Sequence, residues 1–319
     1  MPYDSLTTRT DSQALVPEDV STAMLGRVSR ETSAVLRTFR RVPVTGSQTR
    51  FPILSALPIA YFVNGDTGLK QTSEAAWTNK YLNVEEIAVI VPIPENVVDD
   101  LETSGFDVWG EIQPDIEEAV GVTLDAAVFF GTNAPASWPT NINAATVAAG
   151  NTVTEGATAA NGGIQDDIDQ AIGKVEDDGY DPTAIIAARS LRGKLRRARD
   201  TTGQRLSGLT LTKDGGEYEG LDLAFPMRGS WPTSSGTVEA FVGDFGNEFV
   251  AGVRKDITFK LLDQAVIQDG EGNIVYNLAQ QDMVAARFTF RAGWQVSNRI
   301  NLDQPVEANR YPAARLLRP

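Results

Sequence analysis

The stretch RFPILSALPIAYFVNGDTGLKQTSEAAWTNKYLNVEEIAVIVPI, residues 50–93, limits more than any other what this chain can become. Two strand-like segments, residues 50–63 and 77–93, flank a tip of Gly, Asn, Asp, Ser and Thr, which is the pattern of a β-hairpin. At about 3.3 Å per residue each arm would reach roughly 40 Å, longer than a small domain is wide. A two-stranded ribbon of that length is not stable alone, so it must lie across another surface. Pro52 and Pro58 remove ladder donors and discourage promiscuous edge pairing.

Residues 1–47 share that need. A polar tail leads into VPEDVSTAMLGRVSRETSAVLRTFRRV, where Pro17-Glu18-Asp19 opens a helix and Val20, Met24 and Val28, then Val35 and Phe39, form a thin apolar stripe. A helix with so narrow an apolar face needs a surface supplied from elsewhere, and another chain is one source.

Beyond the hairpin the pattern turns helical. Ile116, Ala119, Val120, Thr123, Ala127 and Phe130 recur at three- and four-residue spacing, with Asp115, Glu117, Glu118 and Asp125 placed on the other face. Pro114 predicts a break or kink at the start of this helix, and Gly131-Thr132-Asn133 ends it. Residues 134–163, rich in Ala, Thr, Asn and Gly, read as an exposed loop. Ile164, Ile168, Ile172 and Val175 share a helix face, and residues 184–188 form a short buried strand. The run RSLRGKLRRARDTTGQR, residues 189–205, carries seven basic residues against one acidic. As a helix with Leu191, Leu195 and Ala198 inward, it offers a solvated or subunit-contacting basic face. Short strands with Gly turns follow, and Val284, Ala286, Phe288 and Phe290 alternate along a long closing strand. The alternation of helices and strands reads as an α+β or α/β domain of about a hundred residues, and the length suggests about two domains.

Chemistry is limited by what is missing. The chain has no histidine and no cysteine, which removes the usual imidazole base, thiolate nucleophiles and the commonest zinc ligands. Asp244-Phe245-Gly246 matches the triplet with which protein kinases hold magnesium, but a His-Arg-Asp loop cannot exist here, and neither a G-x-G-x-x-G nor a P-loop occurs. The triplet is therefore expected in a turn, between Phe241-Val242 and Phe249-Val250-Ala251. The acidic pairs Asp99-Asp100, Glu117-Glu118, Asp166-Asp167 and Asp177-Asp178 are adjacent in sequence, so their carboxylates do not face one another on a helix and are expected to be solvated. A carboxylate-dependent hydrolase is the catalytic alternative, with no identifiable pair. A net charge of −14 opposes adhesion to DNA. With no apolar run of about 18 residues, and neither a basic nor an apolar region in MPYDSLTTRTDSQAL, the chain is expected neither to span a membrane nor to carry a secretory signal.

Taken in order, these pieces resemble the major capsid proteins of tailed bacteriophages with the Hong Kong 97 type fold. The resemblance rests on LVPEDVSTAMLGRVSRETSAVL, the hairpin, IPENVVDDLETSGFDVWGEIQPDIEEAVGVTLDAAVFFGTNAP, VGDFGNEFVAGVRKDITFKLLDQ and MVAARFTFRAGWQV. It implies an N-terminal arm at residues 1–47, an E-loop hairpin at 48–93, a P-domain with its spine helix at 94–136, an A-domain at 137–256, and a return to the P-domain sheet at 257–319. It further implies a structural, non-enzymatic subunit without cofactor or metal, assembling as pentamers and hexamers of an icosahedral shell around double-stranded DNA held without sequence-specific contact. Inter-subunit contacts are expected at the hairpin tip (Asn64, Asp66, Leu69, Lys70, Trp77) and the arm (Val20, Met24, Arg27, Arg30), with Ile116, Val120, Ala127 and Phe130 as the spine-helix core. Portal and scaffolding proteins, the latter a separate chain, are the implied partners, with a decoration protein as an optional addition, and assembly takes place in the host cytoplasm. An encapsulin-like compartment is the alternative of the same fold, disfavoured by the arm followed by a long hairpin. Some such capsids join an E-loop lysine to a neighbour's asparagine with a buried glutamate as base. Lys70, Lys80, Asn298 and Asn301 are candidates here, no glutamate stands out as buried, and no cross-link is expected.

Overall fold

The protein was analysed as a computed structural model, which describes residues 33–63, 70, 72–103, 108–158, 162–199, 209–212, 215–227 and 229–319. Two compact units emerge. One holds Glu86–Val120 and Lys255–Ala292, the other Glu31–Glu85, Gly121–Arg254 and Gly293–Pro319.

The second unit is built on a seven-stranded mixed sheet. Its strands are β5 (Thr152–Thr154), β6 (Ala184–Ala187), β7 (Leu209–Leu211), β8 (Gly215–Tyr218), β9 (Leu221–Ala224), β10 (Val238–Gly243) and β15 (Ala313–Leu317), in the order β5-β15-β10-β6-β9-β8-β7. β6 is the continuous run AIIA, buried on both faces as a central strand must be. Helices α4 (Ile142–Ala148), α5 (Ile164–Asp177) and α6 (Arg189–Arg197) pack on this sheet, and Ile168, Ala171, Val175, Leu191 and Leu195 fill the core with Ile185, Val242 and Leu316.

The expected loop at 134–163 thus contains a helix and a strand. Asn141 caps α4 by accepting the Ala144 amide at 2.8 Å, and Ile142 and Thr146 are fully buried, so two anchored residues offset a weakly patterned sequence. The basic helix stops at Arg197, well short of the expected Arg205, and residues 200–208 lie outside the described part.

In the same unit, α1 (Ala34–Thr38) leads to β1 (Arg40–Pro43), and β2 (Gln48–Ala56) pairs antiparallel with β3 (Ala76–Asn83) as the hairpin. Its paired arms are about 30 Å long rather than 40 Å. The first ends ahead of Pro58, which lacks a donor and restricts Leu57. The second does not continue to Ile93, because the backbone is redirected at Val84. There Asn83 donates to the Ser137 carbonyl at 2.8 Å, and Glu85 accepts from the Ser137 hydroxyl at 2.5 Å. Residues beyond this point form β4 (Glu85–Pro94), part of a separate four-stranded sheet ordered β1-β11-β14-β4 with β11 (Phe249–Leu262) and β14 (Met283–Val296).

In the first unit, α2 (Glu95–Thr103) seats Val97, Val98 and Leu101 against Ile93 and Val108. A second small core joins Tyr276 and Leu278 to Met283 and Ala285, beside the hairpin of β12 (Val266–Gln268) and β13 (Ile274–Asn277). Helix α3 (Val108–Phe130) runs through Pro114 without the expected break. The proline falls in its second turn, where it removes one backbone hydrogen bond close to an end that already lacks them. No helix among the described residues is long and apolar enough to cross a membrane.

Candidate functional site

The kinase-like triplet sits in the turn between β10 and β11. Asp244 is buried, its carboxylate accepts from the Asn247 side chain at 2.7 Å, and burial above all raises its pKa. Phe245 is fully buried and stacks on Phe39 at 5.7 Å, so the turn serves packing. Among the described residues no group of three or more acidic side chains is placed to hold a metal ion.

Several carboxylates expected at the surface are structural instead. Asp125 is fully buried, while Thr123, assigned to the inner face, is exposed. Its carboxylate takes the Ser33 hydroxyl at 2.5 Å and the Ala34 and Val35 amides at 2.9 and 3.2 Å, capping the N-terminus of α1. Burial lifts this carboxyl from 3.8 to about 6, with the three hydrogen bonds opposing. The signal was present: from Gly121 to Phe130 Asp125 is the one charged residue in an apolar or small run, and a helix apolar all round is buried. Asp167 accepts the Gly156 and Ala157 amides, and Asp178 accepts from Asn151 and the Tyr311 amide, so each of those pairs places one member inside.

Two glutamates are also buried, contrary to the sequence reading. Glu239 lies under Arg318, Ser190 and Lys194, and Glu248 holds Arg299 at 2.5 Å. Their cationic partners, Arg318 for Glu239 and Arg299 for Glu248, are distant in sequence.

The expected contact residues fall as follows. Val20, Met24, Arg27 and Arg30 of the arm, and Asn64, Asp66 and Leu69 of the tip, lie outside the described residues. Lys70 is exposed, and Trp77 is 67% exposed. Trp77 sits across from Leu54, and Tyr81 across from Arg50, on one face of the hairpin. Ile59, Tyr61 and Phe62 just beyond β2 are exposed too, an apolar display that a solitary soluble chain seldom carries. Ile116, Val120 and Ala127 are buried; Phe130 is half-buried, edge-on to Trp231 at 5.1 Å. Much of the basic charge on α6 is engaged within the unit: Lys194 meets Glu155 at 2.5 Å, Arg189 donates to the Pro226 carbonyl, and Arg192 lies over the Phe225 ring.

A model of the Phage capsid family matches residues 13–299. The chain belongs to the phage capsid family. A solved structure from Microbacterium phage Oxtober96 is 35% identical, with 99% of this chain and 100% of that chain covered and a TM-score of 0.78. One from Mycobacterium phage Bobi is 32% identical over 99% of each chain, again at 0.78. The capsid of an empty GTA particle, at 18% identity and a TM-score of 0.63 over 97% of each chain, shares the fold alone. No curated protein sequence matches the chain. The protein is a major capsid protein, a structural subunit of the phage head shell, and its fold is the α+β capsid fold that the order of its elements implied.

Proposed function

We propose that this subunit forms pentamers and hexamers of an icosahedral shell, laced together by the hairpin and the N-terminal arm, and that it has no catalytic role. On this reading residues 1–47 are the arm, 48–93 the E-loop region, 94–136 and 257–319 the P-domain, and 137–256 the A-domain. Asn64, Asp66, Leu69, Lys70 and Trp77 at the tip, and Val20, Met24, Arg27 and Arg30 in the arm, meet neighbouring subunits. The observation that carries it is the exposed apolar display of the hairpin, with Ile59 at 71%, Phe62 fully exposed and Trp77 at 67%, which two isolated strands cannot bury against each other. Double-stranded DNA is enclosed without sequence-specific contact, consistent with a net charge of −14. A portal and a separate scaffolding protein, with an optional decoration protein, are the further partners, and assembly takes place in the host cytoplasm.

Deleting residues 64–76 tests the lacing. The variant is expected to stay soluble and folded by circular dichroism while forming no shells in electron micrographs, even with a scaffolding protein coexpressed. Normal particles from the deletion would sink the role given to the tip.

The particles are expected to be held without covalent cross-links. Asn298 is buried, with its amide oxygen accepting from the Tyr180 hydroxyl at 2.7 Å; Asn301 donates to the Asp178 carbonyl at 2.7 Å and accepts from the Gln304 amide at 2.8 Å. Glu248 is engaged by Arg299, and Lys80 pairs with Glu307 at 3.2 Å. Boiled particles should therefore run as a single band near 34.4 kDa on a denaturing gel. Ladders, or material retained in the well, would show that a lysine has reacted.

A further inference from the structure

Helices α5 and α6 each carry an interior glycine that nothing among the described residues requires. A Cβ added at Gly173 or at Gly193 would meet no other atom within 4 Å, and neither residue has a positive φ. Glycine inside a helix is unfavourable relative to alanine, so both positions lose stability with no packing return in the single chain. What a missing side chain does leave is room for close approach from outside. Around Gly193 the surface is basic. Arg196 and Arg197, one turn on, are exposed, and neither they nor Arg199 has a carboxylate partner among the described residues. Around Gly173 it is acidic. Glu176 and Asp177, one turn on, are exposed and meet no cation among the described residues. The arginines suit the C-terminus of their helix, whereas the two carboxylates stand in the last turn of theirs, where the helix dipole repels them. Gly173 lies in a groove of about 470 Å³ that also runs past Thr152, Thr154, Gln170, Lys174 and Asp177, along β5, the outer strand of the seven-stranded sheet. Lys174 in the lining offsets only one of the carboxylates.

We propose that the Gly193 face of α6 docks into the Gly173 groove of α5 on a second copy of this chain, with Arg196 and Arg197 opposite Glu176 and Asp177. The two glycines let the helix surfaces come close, and the guanidinium forks supply donors that match carboxylates. The arriving cations offset the unfavourable meeting of Glu176 and Asp177 with their own helix dipole. A second copy is the occupant because both halves of the match are present on every chain, and a head shell surrounds each copy with others. Double-stranded DNA would suit the arginines but would leave the acidic groove unexplained, since phosphates are repelled there. The proposal rests on the shell reading above and adds which surfaces neighbours share. Unlike faces meeting head to tail repeat from copy to copy until they close a ring. Both faces meet solvent in the single chain, so the contact weakens as salt rises.

The test uses the full chain in five forms: wild type, Arg196→Glu with Arg197→Glu, Glu176→Arg with Asp177→Arg, all four changes together, and Gly173→Gln. Each has its melting curve recorded, then is followed by sedimentation velocity at low and high salt and by electron microscopy with a scaffolding protein coexpressed. Either double reversal is expected to cut association at low salt by about tenfold or more, since like charges set opposite each other cost at least that much. The fourfold variant, with the charges exchanged, should recover it. Gly173→Gln should melt no lower than wild type, because glutamine is the better helix former, yet associate about tenfold more weakly, because its side chain fills the groove. It keeps every charge, so it decides the matter even where a reversed form fails to fold. The arginine reversal or Gly173→Gln associating like wild type overturns the proposal, as does a folded fourfold variant that stays monomeric, or a wild type that is monomeric at low salt. Loss of binding to linear double-stranded DNA in the arginine reversal, with self-association untouched, would assign the arginines to phosphates and overturn it equally. Small oligomers at low salt report the docking whether or not shells close, so a wild type that forms them but never a shell counts against the shell reading alone. Normal shells from both double reversals count against the docking alone.

Discussion

Replacing Arg318 by alanine is expected to destabilise the unassembled chain by about 3–5 kcal/mol, the cost of stripping a buried charge of its partner. On a chain of this size that is a fall in Tm on the order of 10 °C. Glu239 stands on β10, every residue of which is buried, and its carboxylate meets the guanidinium of Arg318, the residue just past the end of the neighbouring strand β15. Ser190 donates to it at 2.8 Å, and Arg318 in turn donates to the Ser190 hydroxyl at 3.1 Å. Without Arg318 the nearest remaining cation is Lys194 at 3.7 Å, already committed to Glu155 at 2.5 Å. The pair as a whole contributes far less than either half implies, because both charges lose their hydration on folding. The double variant Arg318→Met, Glu239→Leu should therefore recover most of the lost stability in urea melts. A single-variant loss below about 1 kcal/mol, the scale of an exposed pair, would mean that Lys194 takes over the carboxylate.

The second large effect is expected at Gly293. Leu82, with none of its surface exposed, rests in a notch formed by two glycines on adjacent strands, Gly252 of β11 and Gly293 of β14. A methyl group on Gly252 would lie 2.7 Å from a Leu82 methyl and 2.8 Å from Val44. On Gly293 it would overlap the backbone carbonyl of Asn83, which cannot rotate away as a side chain can. Gly293→Ala should therefore reach the upper end of the overpacking range, about 3 kcal/mol or more, and should push β3 off β14. Limited proteolysis would then cut residues 76–84 ahead of the rest of the unit. A variant with wild-type stability and wild-type cleavage would refute the notch as the anchor of the hairpin.

Elements specified by local pattern were legible in the sequence. The run AIIA announced a central strand, Ile164, Ile168, Ile172 and Val175 a helix face, and the alternation after Met283 a long strand. Features that depend on distant partners were not. The bend at Val84 follows from Ser137, more than fifty residues away, the burial of Asp125 from Ser33, 92 residues away, and that of Glu239 from Arg318, 79 residues away. Helix α4 was hidden because its sequence, INAATVA, is mostly small residues whose burial is decided by neighbours. At the candidate site the sequence located the hairpin, but not the glycine notch at its root, which needs Gly252 of β11 and Gly293 of β14 brought beside Leu82.

The order in which the seven-stranded sheet can be completed follows from the place of β15. Residues 313–317 lie between β5 and β10, pairing parallel with one and antiparallel with the other. A ribosome delivers these residues after every other strand of the sheet, so until they emerge β10 keeps one edge unpaired and β5 has no neighbour at all. Closure must wait for contacts 70 to 163 residues apart along the chain, the slow kind of pairing, while open edges invite association with other nascent chains. Synthesis at high level, as building a container from many copies demands, thus meets its greatest aggregation hazard in the moments before the last strand drops into place.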